Sequence, residues 1–163
     1  MPKIAKNVPA YYWDACIFIS YIDGIADRIS TIDAILEDGE NENLQIFTSI
    51  LSITEVAFGE IEKIGKVLTP ESEEKIDRFW LHSPVKLVDI HQQIAFDAKA
   101  LIRETLPRGW SLKPADAIHL VTAKRMGVSE FHTYDDKLSK YAEIMDYKIV
   151  EPHTDKFKFL FPS

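Results

Sequence analysis

Short apolar runs alternate with longer stretches of helical periodicity along this chain, and that alternation leaves few folds open. Ala10-Tyr11-Tyr12-Trp13, Leu44-Gln45-Ile46-Phe47-Thr48, Val85-Lys86-Leu87-Val88-Asp89-Ile90, Glu130-Phe131-His132-Thr133 and Lys148-Ile149-Val150-Glu151 read as strands. Helical spacing fills the gaps. It covers Ala15 to Ile22, Ser30 to Leu36, Ser49 to about Lys66 (Ile53, Val56, Ala57, Ile61 and Ile64 inward), Pro70 to His82 and His91 to Leu106. Two more helices follow, from Lys113 to Gly127 and from Lys137 to Met145. Asp38-Gly39-Glu40-Asn41 reads as a loop. Such alternation predicts parallel βαβ units, an α/β fold with helices on both faces of the sheet.

The helix at 113–127 carries its own punctuation. Pro114 suits the first position, Gly127 the left-handed residue past the end, and Lys124 and Arg125 the last turn. Ala117, Ile118, Leu120, Val121 and Ala123 make a wide apolar stripe, so this helix is largely buried. Asp116 in its first turn therefore needs a reason, since a buried carboxylate is costly unless paired or bound to a cation. Alone it reads as an acid on the helix dipole. Three more acids change that. Asp14 and Asp135 each follow a predicted strand, and Glu55 falls in a predicted first turn. In parallel sheets, ligands gather beyond the carboxyl ends of the strands. Four carboxylates converging there repel unless a cation neutralises them. Oxygen-only donors suit Mg²⁺ or Mn²⁺. Zinc would want Cys and His in sets, and Cys16 and the five histidines show no such spacing.

The motifs Tyr12-Trp13-Asp14-Ala15-Cys16, Ser52-Ile53-Thr54-Glu55, Pro114-Ala115-Asp116-Ala117-Ile118-His119-Leu120 and Thr133-Tyr134-Asp135 together resemble a PIN domain, most nearly the VapC-type toxins of prokaryotic toxin–antitoxin pairs. The resemblance spans nearly the whole chain in order and spacing. It implies a three-layer α/β/α sandwich with a parallel five-stranded sheet in the order 3-2-1-4-5. It also implies an acidic Mg²⁺ or Mn²⁺ site and endoribonuclease activity on single-stranded RNA. By position, Asp14, Glu55, Asp116 and Asp135 would be the catalytic, metal-binding acids, and Thr133 the hydroxyl that orients Asp135. Where many relatives carry Ser or Thr two residues after the first acid, this chain has Cys16, a weaker donor behind Asp14. A small antitoxin is the expected partner, and a homodimer the expected assembly.

Residues 1–163 are expected to form one such domain, with 152–163 as an aromatic tail. A single cysteine, no signal-peptide pattern and no membrane-length apolar run point to the cytoplasm. The net charge of −7 argues against a nonspecific nucleic-acid binder, though not against a nuclease that meets phosphate through cations.

Other residues carry weaker signals. His119 either faces the cleft or, the favoured reading, is packed and hydrogen-bonded locally. Asp23, Asp27, Asp89 and Asp97 read as surface acids. Arg108, Lys113, Lys137 and Lys140 flank the cleft in sequence, as RNA contacts or as ordinary surface charges, and Trp110 reads as a loop anchor rather than a base-stacking platform. Asp136 is expected to cap the helix that follows Asp135. Among other functions, a haloacid-dehalogenase-type phosphatase would want an acid where Cys16 stands. A phospho-acceptor receiver domain would want an acceptor after a middle strand with a matching Lys, which Asp89 lacks. A PIN-like module that only binds RNA or a partner, and a housekeeping nuclease, remain open.

Overall fold

The structure is a computed structural model that describes residues 2–5, 7–64 and 69–154, with the side chains of 60–64 left out. The predicted end of one helix at Lys66, the inward set of Ile61 and Ile64, and the tail from 155 onward lie outside the described residues.

The strands are β1 (Ala10–Trp13), β2 (Gln45–Ser49), β3 (Val85–Val88), β4 (Glu130–His132) and β5 (Lys148–Val150). They pair in parallel, in the order β3-β2-β1-β4-β5. The helices are α1 (Ala15–Ile22), α2 (Ala26–Glu40), α3 (Leu51–Ile64), α4 (Pro70–Leu81), α5 (Gln92–Thr105) and α6 (Pro114–Met126). Two 3-10 segments, Leu106–Arg108 and Asp136–Glu143, complete the description.

β1 organises the layers because it lies at the centre and all four of its residues are buried. Ala10 and Tyr12 point into a core with Phe47, Ile94, Leu120 and Phe131, under α5 and α6. Tyr11 and Trp13 point into the opposite core with Phe18, Ile32, Ile46 and Phe79, under α1, α2, α3 and α4. A slip of one residue would exchange these faces, so the register is fixed by both cores at once. α5 and α6 are clamped by a short ion pair, Arg125 Nε to Asp97 at 2.5 Å, so Asp97 is more than a solvated surface acid. The guanidinium holds the Asp97 carboxyl below its ordinary pKa.

α6 ends as its punctuation demands. Gly127 has φ 71° and donates its N–H to the Ala123 and Lys124 carbonyls. α4 starts as predicted, with Thr69 accepting from the Ser72 N–H and Pro70 in the first position. α2 departs from the sequence reading by running through Asp38 and Gly39 to Glu40. Gly39 is there for space, because a Cβ on it would meet Pro84 Cγ at 3.0 Å and Ile46 Cδ1 at 3.3 Å. Among the described residues, no helix is long and apolar enough to cross a membrane.

Candidate functional site

Because β1 and β4 are parallel neighbours, their carboxyl ends lie side by side, and Asp14 and Thr133 emerge next to each other. The Asp14 N–H continues the ladder to the His132 carbonyl at 3.1 Å. Asp14 then caps α1, its Oδ1 accepting the Ala15 N–H at 2.7 Å. The Thr133 hydroxyl donates to Asp14 Oδ2 at 2.9 Å and accepts the Asp135 N–H at 3.0 Å. Thr133 therefore holds the first acid and the main chain of the last, rather than the Asp135 carboxylate as the sequence reading has it.

Cys16 stands behind this pair. Its Sγ lies 3.5 Å from Asp14 Oδ2 and 3.3 Å from Thr133 Oγ1, and accepts the Tyr134 N–H at 3.3 Å. Burial, with the Asp14 charge beside it, pushes the thiol up to about 12, so it acts as a neutral donor. Thr133→Val removes a donor from one buried group and an acceptor from another. It is expected to cost about 1–3 kcal/mol by urea denaturation, with Thr133→Ser recovering most of it.

Glu55 sits in the second turn of α3, not the first, since the helix begins at Leu51. Its side chain is 28% exposed and reaches His119 Nε2 at 2.5 Å. Asp116 lies in the first turn of α6, half-buried. Its carboxyl is pushed up to about 6, first by burial and then by the charge of Asp14; His119 opposes this, and Asp135 and Glu55 add to it. Asp116 thus feels the charge of each of the three other predicted acids. Asp135 Oδ1 accepts the Lys137 N–H at 3.0 Å, which makes Asp135, and not Asp136, the cap of the 3-10 segment that follows.

His119 also departs from its favoured reading. It is buried, but its partners are distant in sequence: Tyr12 Oη at 2.7 Å from Nδ1 and Glu55 Oε2 from Nε2, with Asp14 Oδ1 at 3.9 Å. Burial alone would lower its pKa. The Glu55 hydrogen bond and the charges of Asp14, Glu55 and Asp116 outweigh that and leave it raised. The one-turn spacing from Asp116 carried this signal, since residues three apart on a helix share a face. Trp110 is an anchor, packed edge-on to Tyr141 at 5.1 Å with the Arg108 guanidinium and Lys140 ammonium over its ring.

The sequence reading missed a second cluster. Glu130, His132 and His153 place three ligand atoms within 4.8 Å of one another. The x+2 spacing of Glu130 and His132 on β4 puts them on one face, and the segment after β5 brings His153 Nε2 to 2.7 Å from Glu130 Oε2. The cluster is closed by its own bonds. Trp13 Nε1–H donates to His132 Nδ1 at 3.2 Å, so the ring proton sits on Nε2 and is given to Glu130 Oε2 at 2.8 Å. Metal at that nitrogen would have to displace this proton and strip the buried indole of its acceptor.

The fold has solved counterparts. A VapBC2 complex from Rickettsia felis, bound to a DNA fragment from its promoter, superposes with a TM-score of 0.66 at 18% identity, covering 87% of this chain and 97% of that one. A toxin–antitoxin complex from Klebsiella pneumoniae gives a TM-score of 0.58 at 25% identity, covering 88% and 98%. VapC20 from Mycobacterium tuberculosis, a sarcin-ricin loop cleaving toxin, gives 0.62 at 12%, covering 80% and 93%. Comparison with curated protein sequences finds no match. The model of the PIN domain family matches residues 11–144, a span that takes in β4 and Asp14, Glu55, Asp116 and Asp135, and the chain belongs to that family.

Proposed function

We propose that this protein is a divalent-cation-dependent endoribonuclease acting on single-stranded RNA, and the toxin of a VapBC-type toxin–antitoxin pair. The observation that carries the reading is Asp116. Its carboxyl is driven up to about 6, first by burial and then by the charges of Asp14, Asp135 and Glu55, a penalty that a bound cation would relieve. Asp14, Glu55, Asp116 and Asp135 would hold the ion, and their oxygen-only donor set suits Mg²⁺ or Mn²⁺. When bound, such an ion supplies charge neutralisation, contact to phosphate oxygens and activation of water for attack at phosphorus. The chain's own part is preorganisation. Thr133 and the Ala15 N–H hold Asp14, the Lys137 N–H holds Asp135, and the first turn of α6 presents Asp116. Membership of the PIN family supports the chemistry. The toxins and antitoxin complexes among the similar structures support the biological setting, with a small protein antitoxin as partner and the cytoplasm as its place.

The test uses the purified chain on labelled single-stranded RNA and on DNA of matching sequence. Cleavage of the RNA is expected with Mg²⁺ or Mn²⁺ and none in excess EDTA. Persistent cleavage in EDTA would rule out the cation chemistry, and cleavage of DNA alone would rule out the substrate. Expression without a partner is expected to slow growth, and growth unaffected by the active chain would remove the toxin assignment.

A further inference from the structure

His119 has no part in the chemistry proposed above, yet it lies in the same cleft, one turn beyond Asp116 and 1% exposed. Both of its ring nitrogens are engaged, and the direction of each bond follows from what stands behind it. The Ser49 backbone N–H, at the end of β2, donates to Tyr12 Oη at 3.0 Å. A backbone N–H can only donate, so the phenol accepts there; with the imidazole neutral, its own proton has His119 Nδ1, 2.7 Å away, as acceptor. Nδ1 is then an acceptor, the ring proton sits on Nε2, and Nε2–H donates to Glu55 Oε2 at 2.5 Å. Tyr12 and Ser49 are fully buried, so water does not compete with this chain of bonds.

Glu55, the one glutamate among the four acids, has the most side-chain freedom to restrain. It stands on the second turn of α3, has a long side chain, and is partly exposed. Asp14 and Asp135 are held by backbone N–H groups next to them in sequence. We propose that His119 is a positioning residue for the acidic site: the Ser49–Tyr12–His119 chain occupies Oε2 of Glu55, fixes where that carboxylate stands, and leaves Oε1 as the oxygen for a cation. His119 Nε2 lies 3.9 Å from Asp14 Oδ1, so it stands between the two acids it organises. The inference rests on the cation-site reading of the preceding subsection. It adds that β2 and the centre of β1 reach the site through hydrogen bonds, without a carboxylate of their own.

Two substitutions separate positioning from packing. An Asn side chain at 119 places its amide near Nδ1, where it keeps a partner for Tyr12 but cannot reach Glu55. A Gln side chain extends to where Nε2 stands and can still donate to Glu55. Mn²⁺ affinity is read without substrate from the free-Mn²⁺ signal in electron paramagnetic resonance, together with the melting temperature of each metal-free variant. His119→Asn is expected to bind Mn²⁺ about 10–100-fold more weakly than the parent, the usual effect of removing a partner behind a ligand. His119→Gln is expected to stay within about threefold. In cleavage, His119→Asn should be slow at limiting Mn²⁺, recover as Mn²⁺ is raised, and keep the parent KM for RNA. Folded His119→Asn with parental Mn²⁺ affinity would overturn the inference, as would His119→Gln as weak as His119→Asn. If His119→Asn does not fold, Tyr12→Phe decides: weaker Mn²⁺ binding supports the relay, and parental binding overturns it. Asp116→Asn serves as the control on the underlying reading. If the parent and Asp116→Asn bind Mn²⁺ alike, the cation site and this inference fall together. If Asp116→Asn loses binding while His119→Asn keeps it, only the positioning role falls.

Discussion

Asp116→Asn is expected to lower RNA cleavage by about three orders of magnitude, the size expected when one preorganised charge is removed from a reacting centre. The same substitution should make the metal-free protein more stable. The folded chain holds the Asp116 proton up to about pH 6, while the unfolded chain releases it near the ordinary value of 3.8. Between those values the folded state carries more protons, so the stability from this group falls as pH rises through the window and the penalty is complete above it. Asn is the same size, stays uncharged and escapes the penalty. After allowing for solvent screening of this half-exposed group, the gain at about pH 7.5 is of order 1–2 kcal/mol, and it should vanish near pH 4. Thermal melts in EDTA at the two pH values measure the gain, and single-turnover cleavage with Mn²⁺ measures the loss. A variant that cleaves like the parent, or that is destabilised equally at both pH values, would reduce Asp116 to an ordinary helix-terminus acid.

The second large effect separates Asp135 from its neighbour. Asp135 caps the 3-10 segment and contributes charge to the cleft, whereas Asp136 is exposed and is bonded through its backbone carbonyl, by Ser139. Asp135→Asn removes the charge and keeps a side-chain oxygen able to cap. Turnover should fall by about 10²–10³-fold with little change in melting temperature. Asp135→Ala loses both roles, so a further destabilisation of about 1 kcal/mol is expected. Asp136→Ala should stay within about 0.5 kcal/mol and keep near-parental turnover. Inactive Asp136→Ala beside active Asp135→Asn would reverse the two assignments.

The elements legible in the sequence are those whose local chemistry and tertiary role agree. α6 has Pro114, an apolar stripe and Gly127, and each does in the structure what its side chain favours locally. Asp14, Asp116 and Asp135 lie at the strand ends and helix start where they were expected, because those are fixed points along a chain, while Glu55 falls one turn further into its helix than expected. What was not legible depends on approach from elsewhere. Gly39 looks like turn punctuation, but it yields space to Pro84 inside a helix. Thr133 was expected to serve the carboxylate two residues on; it takes only the Asp135 N–H and gives its proton to Asp14, 119 positions away. His119 was expected to find a local partner, and finds Tyr12 and Glu55 across two other elements. The cap at 135 rather than 136 is a one-residue boundary, where periodicity has least to say.

The order of the sheet also sets an order in time. Asp14 is made well before the hydroxyl that holds it, which belongs to Thr133, and the strand that completes its side of the sheet, β4, comes only at Glu130–His132. Until β4 docks, the centre of the sheet has an open edge, and Asp14 has the Ala15 N–H and the Cys16 thiol but not the Thr133 hydroxyl. The support of the first acid therefore waits on a contact 119 positions away along the chain and forms only with the long-range pairing of β1 and β4.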